Sequence, residues 1–99
     1  MTTLLIDDLR TGAVDKTVRN YADGIAALAE QHWDVVYLDH DLGDFSGPDG
    51  RELTGYSIAC WLEEHPQHMP GRIEIVSSNP TGRGNIMRAL AKFYPPWNR

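Results

Sequence analysis

The sequence predicts an α/β domain on a mainly parallel four-stranded sheet, and three observations carry that expectation. Short apolar runs recur at residues 4–6, 33–38 and 72–76, and each stops abruptly at polar residues, as strands buried on both faces do where they open into solvent. Segments of about ten residues with helical spacing separate these runs, the alternation that crossovers between parallel strands require. The 99 residues, 41% of them hydrophobic and 23% charged, fill one core and leave no material for a second. Residues 1–99 are therefore expected to form a single domain of three layers, with the sheet covered on both faces.

The elements follow in order. Leu4, Leu5 and Ile6, closed by Asp7-Asp8, read as the first strand. Residues 10–16 are too short and too glycine-interrupted for a helix, and residues 17–21 alternate like an edge strand, so the chain is expected to run strand, loop, strand. In residues 22–31, Ile25, Leu28 and Ala29 follow helical spacing, with Asp23 in the first turn where the helix dipole favours an anion. Residues 33–38, β-branched and aromatic, read as a central strand. Residues 44–53 carry Gly47, Pro48 and Gly50 among charges and read as an exposed loop; Thr54 then caps a second helix that buries Ile58, Ala59 and Leu62 and ends before Pro66. Residues 72–76 form the last strand. A third helix is expected over residues 84–93, burying Ile86, Met87 and Leu90, and Pro95-Pro96 ends it.

Composition narrows the function. A formal charge of −5 offers no general attraction to extended nucleic acid or to an anionic membrane. The N-terminus has neither the basic start nor the apolar length of a signal peptide, and no apolar run approaches the roughly 20 residues that span a bilayer. With Cys60 as its single cysteine, the chain is expected to be soluble and cytoplasmic. Trp33, Trp61 and Tyr56 are expected to pack, His32, His65 and His68 to lie exposed, and Cys60 to act as a small hydrophobe.

In open parallel sheets, ligands sit outside the carboxyl ends of the strands. Three polar clusters fall there: Asp7-Asp8, Asp39-His40-Asp41 and Ser77-Ser78-Asn79. Four carboxylates crowded at one edge repel one another unless a cation, a shared proton or a basic side chain relieves them. A hard divalent cation is the simplest relief. Magnesium takes one or two carboxylates together with waters and a phosphate oxygen, so Asp7 or Asp8 with Asp39 would suffice, and a small phosphate-containing ligand follows. His40, between two acids, suits a general acid or base, and spacing alone does not say which of Asp39, His40 and Asp41 converge. Ser77, Ser78 and Asn79 offer hydroxyl and amide donors, and residues 81–85, with Gly82 and Arg83, lead into a helix whose first N–H groups can receive an anion. Each cluster also has a plain structural reading: a solvated strand end, a structural turn, a helix cap, a solvated arginine.

Those residues also carry a resemblance. Leu5-Ile6-Asp7-Asp8-Leu9-Arg10, Tyr37-Leu38-Asp39-His40-Asp41-Leu42-Gly43, Thr54-Gly55-Tyr56, and the stretch from Ser77 through Asn79-Pro80-Thr81-Gly82-Arg83 to Met87 resemble the cyclic-phosphate-processing receiver-like domains, over residues 4–90. This family is similar to the response-regulator receiver, a flavodoxin-like fold, with a shortened link between the first two strands. The resemblance implies a receiver-type sheet lacking the first helix and the fifth strand. It also implies a metal-binding pair at Asp7 and Asp8, the phosphoacceptor position at Asp39, the hydroxyl position at Ser77, and magnesium. Two departures stand out: Val76 occupies a position where the family's usual motif has His, and Lys92 falls inside the last helix rather than before a fifth strand.

The leading expectation is a small metal-dependent phosphoesterase or cyclic-phosphate-processing domain. In it Asp7, Asp8 and Asp39 hold magnesium or another divalent cation. Asp39, His40 and Asp41 carry the chemistry, and Ser77, Ser78, Asn79, Gly82 and Arg83 hold phosphate. The alternative, favoured by Val76 and the missing strand, is a non-catalytic receiver-like module that docks on a protein partner through a sheet edge or an apolar patch beside Phe93, Tyr94 and Trp97. Phosphoryl transfer to Asp39 itself, as in phosphorelay signalling, ranks last.

Overall fold

Four strands, β1 (Thr3–Ile6), β2 (Lys16–Val18), β3 (Val35–Leu38) and β4 (Arg72–Ile75), form one sheet in the order β2-β1-β3-β4, and every neighbouring pair is parallel. The structure, a computed structural model, describes residues 1–98. Helices α1 (Tyr21–Glu30), α2 (Gly55–Glu64) and α3 (Pro80–Leu90) complete it, and 3₁₀ turns at Ala91–Phe93 and Pro95–Asn98 follow α3. No helix among the described residues is long and apolar enough to cross a membrane.

Strand order decides which face each connection covers. The chain steps from β1 outward to β2, then back across β1 to β3 and onward to β4. Right-handed crossovers place the two connections that step the same way on one face and the one that steps the opposite way on the other. Helices α1 and α2 thus share a face, and α3 packs beside α2. Strand residues Leu4, Ile6, Val36, Leu38 and Ile73 meet Leu28, Ile58, Leu62, Ile86 and Leu90 there in one buried cluster. The opposite face receives residues 7–15, the link between β1 and β2. The expected second covering layer is therefore a loop, because the sequence supplies no helix at the one connection that reaches that side. Leu5 and Val35 are buried beneath it, while Tyr37 stays half-buried.

That loop is tied at its far end. Asp15 accepts bonds from the Thr3 N–H at 2.8 Å and the Thr3 hydroxyl at 3.1 Å, and the Asp15 N–H donates to the Thr3 carbonyl at 3.1 Å. The edge strand is shorter than its alternation suggested. Asn20, placed in a strand by the sequence, is instead the N-cap of α1, its Oδ1 accepting the Asp23 N–H at 2.9 Å. Trp33 precedes β3 and is buried, donating Nε1–H to the Ala27 carbonyl at 2.8 Å.

Helix α2 begins where the sequence placed it, with a capping box in which Thr54 and Ser57 satisfy each other's backbone N–H groups. Helix α3 starts four residues before the expected Gly84. Asn79 is its N-cap, with Pro80 in the first turn, a position proline tolerates because its missing N–H is not needed there. The terminal aromatics Phe93, Tyr94 and Trp97, beside which an apolar patch is expected, are partly buried against the core, and the Tyr94 hydroxyl donates to the Pro70 carbonyl at 2.7 Å. Tyr94 and Trp97, with Arg72, Ile75, Arg83 and Met87, border a groove of about 320 Å³ along the outer edge of β4. His65 and His68 are not simply solvated; both stack on Trp61, with ring centroids 4.4 and 5.5 Å away.

Candidate functional site

The hydrogen-bond ladder continues one residue past the strand ends. The Asp7 N–H donates to the Val18 carbonyl at 3.1 Å, and the Asp39 N–H to the Ile6 carbonyl at 2.9 Å. Asp7 and Asp39 therefore keep the strand alternation, which puts their side chains on the face of Leu5 and Tyr37, opposite the helices. Asp8 joins them: one carboxylate oxygen from each of Asp7, Asp8 and Asp39 lies within 4.8 Å of the others. Asp7 and Asp39 are buried, at 1% and 7% exposure.

The three carboxylates are not equivalent. Asp7 Oδ1 accepts the N–H groups of Leu9 and Arg10, both at 2.9 Å, and Oδ2 accepts the Arg10 guanidinium at 3.0 Å. Burial pulls its carboxyl upward, but those N–H bonds and the guanidinium outweigh burial and hold it below the ordinary value of 3.8. Asp39 moves the other way. Burial first, and the Asp7 charge second, raise its carboxyl against the opposing pull of nearby N–H groups and Arg10, which stands 3.9 Å away. Arg10 is thus the basic side chain that relieves the cluster. The signal for this role in the sequence is a cation three residues after Asp7.

Three oxygen donors on adjacent chain segments suit a hard cation such as magnesium, calcium or manganese. Asp8 and Asp39 would offer oxygens directly, and Asp7 would offer Oδ2 once Arg10 lets go; Oδ1 is already held by two backbone donors.

His40 belongs to a second group. Its ring lies against Gly82 in the first turn of α3, where a Cβ would stand 2.3 to 2.7 Å from the imidazole atoms, so only glycine fits. His40 Nδ1 is 3.1 Å from Asp41 Oδ1, and the Asn79 amide reaches Asp41 Oδ2 at 3.5 Å. The peptide between Asp39 and His40 is pressed against the start of α2: the Gly55 N–H donates to the His40 carbonyl at 2.8 Å, and a Cβ on Gly55 would fall 2.2 Å from the Asp39 carbonyl oxygen. Two glycines from two helices therefore hold residues 39–40.

The third strand end is used mostly by the fold itself. Ser77 is buried and its Oγ accepts the Asn79 N–H at 3.0 Å; Asn79 Oδ1 accepts the Gly82 N–H at 2.9 Å. The Gly82 N–H is consequently committed to the cap, a correction to its expected place in a phosphate cradle. Arg83 donates to the Ile75 carbonyl and borders the β4 groove, which shares no lining residue with the carboxylate cluster. Ser78 is exposed on the same turn.

Among protein families, the model described as Cyclic-phosphate processing Receiver domain matches residues 2–92. No curated protein and no solved structure matches the chain.

Proposed function

The chain belongs to the family of cyclic-phosphate processing receiver domains, and from that membership we propose that it is a small metal-dependent phosphoesterase. The observation that carries this reading is the meeting of Asp7, Asp8 and Asp39 within 4.8 Å, two of them buried and one with its carboxyl raised by burial and then by its neighbour's charge. Arg10 relieves part of the repulsion in such a set, and a bound cation would relieve the rest. The bound cation would neutralise phosphate charge and lower the pKa of a coordinated water.

The chain's own groups do the rest. Asp7, Asp8 and Asp39 hold the cation at the rim. Arg10, released from Asp7 Oδ2, is close enough to meet a phosphate oxygen with a charge-assisted bond. The His40–Asp41 pair carries a proton to or from the ester, with the imidazole oriented by Asp41 Oδ1 and by its seat on Gly82. Ser78 adds an exposed hydroxyl; Ser77, Asn79 and Gly82 hold the turn in place.

The test is hydrolysis of a panel of cyclic phosphates with magnesium, together with calorimetric titration of magnesium alone. Magnesium-dependent turnover is expected, lost in Asp39→Ala along with magnesium binding. His40→Ala is expected to slow turnover about 10²- to 10⁴-fold while magnesium still binds. Turnover that persists unchanged in Asp39→Ala sinks the proposal.

A further inference from the structure

Below the carboxylates, on the face that carries no helix, lies a cavity of about 240 Å³. Leu5, Tyr37 and Val76 form its floor, and residues 10–14 form its roof. Leu5 and Tyr37 are register partners on β1 and β3, and each lies two residues before a cluster carboxylate, Asp7 and Asp39. Residues two apart on a strand share a face, so cavity and carboxylates lie on the same side of the sheet. Arg10 marks their boundary. It lines the cavity while its guanidinium stands 3.0 Å from Asp7 and 3.9 Å from Asp39. Arg10 thus joins the two regions, in contact with the carboxylates above and lining the apolar recess beneath.

The lining indicates what fits. Arg10 is its single charged side chain, and that charge is directed at the carboxylates. The remainder is Leu5, Val14, Val76, Ala13 and the Tyr37 ring, with Thr11 and Gly12 on the loop. Such a wall gives little to a phosphate or a polyol and favours a flat ring stacked on an aromatic face. At about 240 Å³ the space is below the ~300–1,000 Å³ of pockets that enclose drug-sized ligands. It has room for a small ring and not for a drug-sized ligand.

We propose that this cavity is the subsite for the organic group of the phosphate ester, that it takes a single small aromatic ring, and that Tyr37, Ala13 and Val14 set the selectivity. The inference rests on the reading of the carboxylate rim as the phosphate site. The polar head stays with Asp7, Asp8, Asp39 and Arg10, and the ring descends between the loop and the sheet.

Two probes separate the inference from the reading beneath it: methyl phosphate and phenyl phosphate, each titrated calorimetrically with magnesium into the full chain and into Ala13→Phe. Ala13 is exposed on the loop, so added bulk there fills the cavity without entering the core. Phenyl phosphate is expected to bind at least about tenfold tighter than methyl phosphate, and Ala13→Phe to erase that difference while methyl phosphate affinity stays unchanged. Methyl resonances of Leu5, Val14 and Val76 should shift with the phenyl probe and not with the methyl probe, a readout independent of the variant. Equal binding of both probes overturns the subsite and leaves the phosphate site standing. A phenyl preference that survives Ala13→Phe without shifts at those methyls overturns it too, since the ring then sits elsewhere. If neither probe binds, reading and inference fall together.

Discussion

The two faces of the sheet are built from alternate residues of the same strands and have been put to opposite uses. On the helical side, Leu4, Ile6, Val36 and Leu38 are no more than 1% exposed and meet three helices. On the other side, Leu5 and Tyr37 run up to Asp7 and Asp39 under a loop that leaves a cavity. One face holds the fold together, and the other presents the carboxylate cluster. Because side chains alternate, the division is decided residue by residue, and neighbours in sequence should respond very differently to substitution.

The largest contrast is expected between adjacent residues of β3. Leu38→Ala removes a fully buried side chain and is expected to cost about 2–5 kcal/mol in chemical denaturation. Tyr37→Ala, on the half-buried side, is expected to cost less than about 1.5 kcal/mol. Equal losses would break the comparison and mean that the loop-covered face is as tightly packed as the other.

A second contrast lies within α3. Gly82→Ala drives a Cβ into the His40 ring and is expected to destabilise the protein by about 1–3 kcal/mol and to slow turnover. Gly84→Ala meets only the flexible end of Arg88, at 3.3 Å, and is expected to gain about 0.5–1 kcal/mol from helix propensity. Denaturation of both variants, with turnover for the first, sharpens the view that His40 is held from the helical side while the oxygens of the carboxylate cluster lie on the other.

The smallest effect concerns charge. Asp39, raised by burial and then by Asp7, gives stability that is full below 3.8 and is lost as pH rises through its raised value. Asp7, lowered despite burial by the backbone N–H groups and Arg10, gives stability that is full above 3.8 and is lost as pH falls through its lowered value. Asp39→Asn is therefore expected to stabilise the metal-free protein at neutral pH, by less than about 1 kcal/mol, and to abolish stabilisation by magnesium. Melting curves against pH, with and without magnesium, check both halves. A loss of stability in metal-free Asp39→Asn would mean that the carboxylate is not strained by its neighbour.

Much of this was legible in the sequence where the signals are local. The apolar runs of β1, β3 and β4, the Thr54 cap of α2 and the carboxylates at strand ends all declare themselves within a few residues. The start of α3 did not, because Thr81-Gly82-Arg83-Gly84 has poor helix propensity. Its helix is held by the Asn79 cap and by packing of Gly82 on His40, a contact 42 positions away in the chain. Gly82 looked like a phosphate residue for the same reason: the sequence records the glycine but not the ring it accommodates. Nor could coverage of the faces be read before strand order was known, since handedness acts on the direction of each step across the sheet.

The link between β1 and β2 is clasped at both ends, by the two N–H bonds to Asp7 Oδ1 and by the pairing of Asp15 with Thr3. Residues 11–14 between those clasps contribute no side chain to the buried cluster. They form an exchangeable cassette, in which insertions or swaps can re-cut the recess beside the carboxylates without touching the main core.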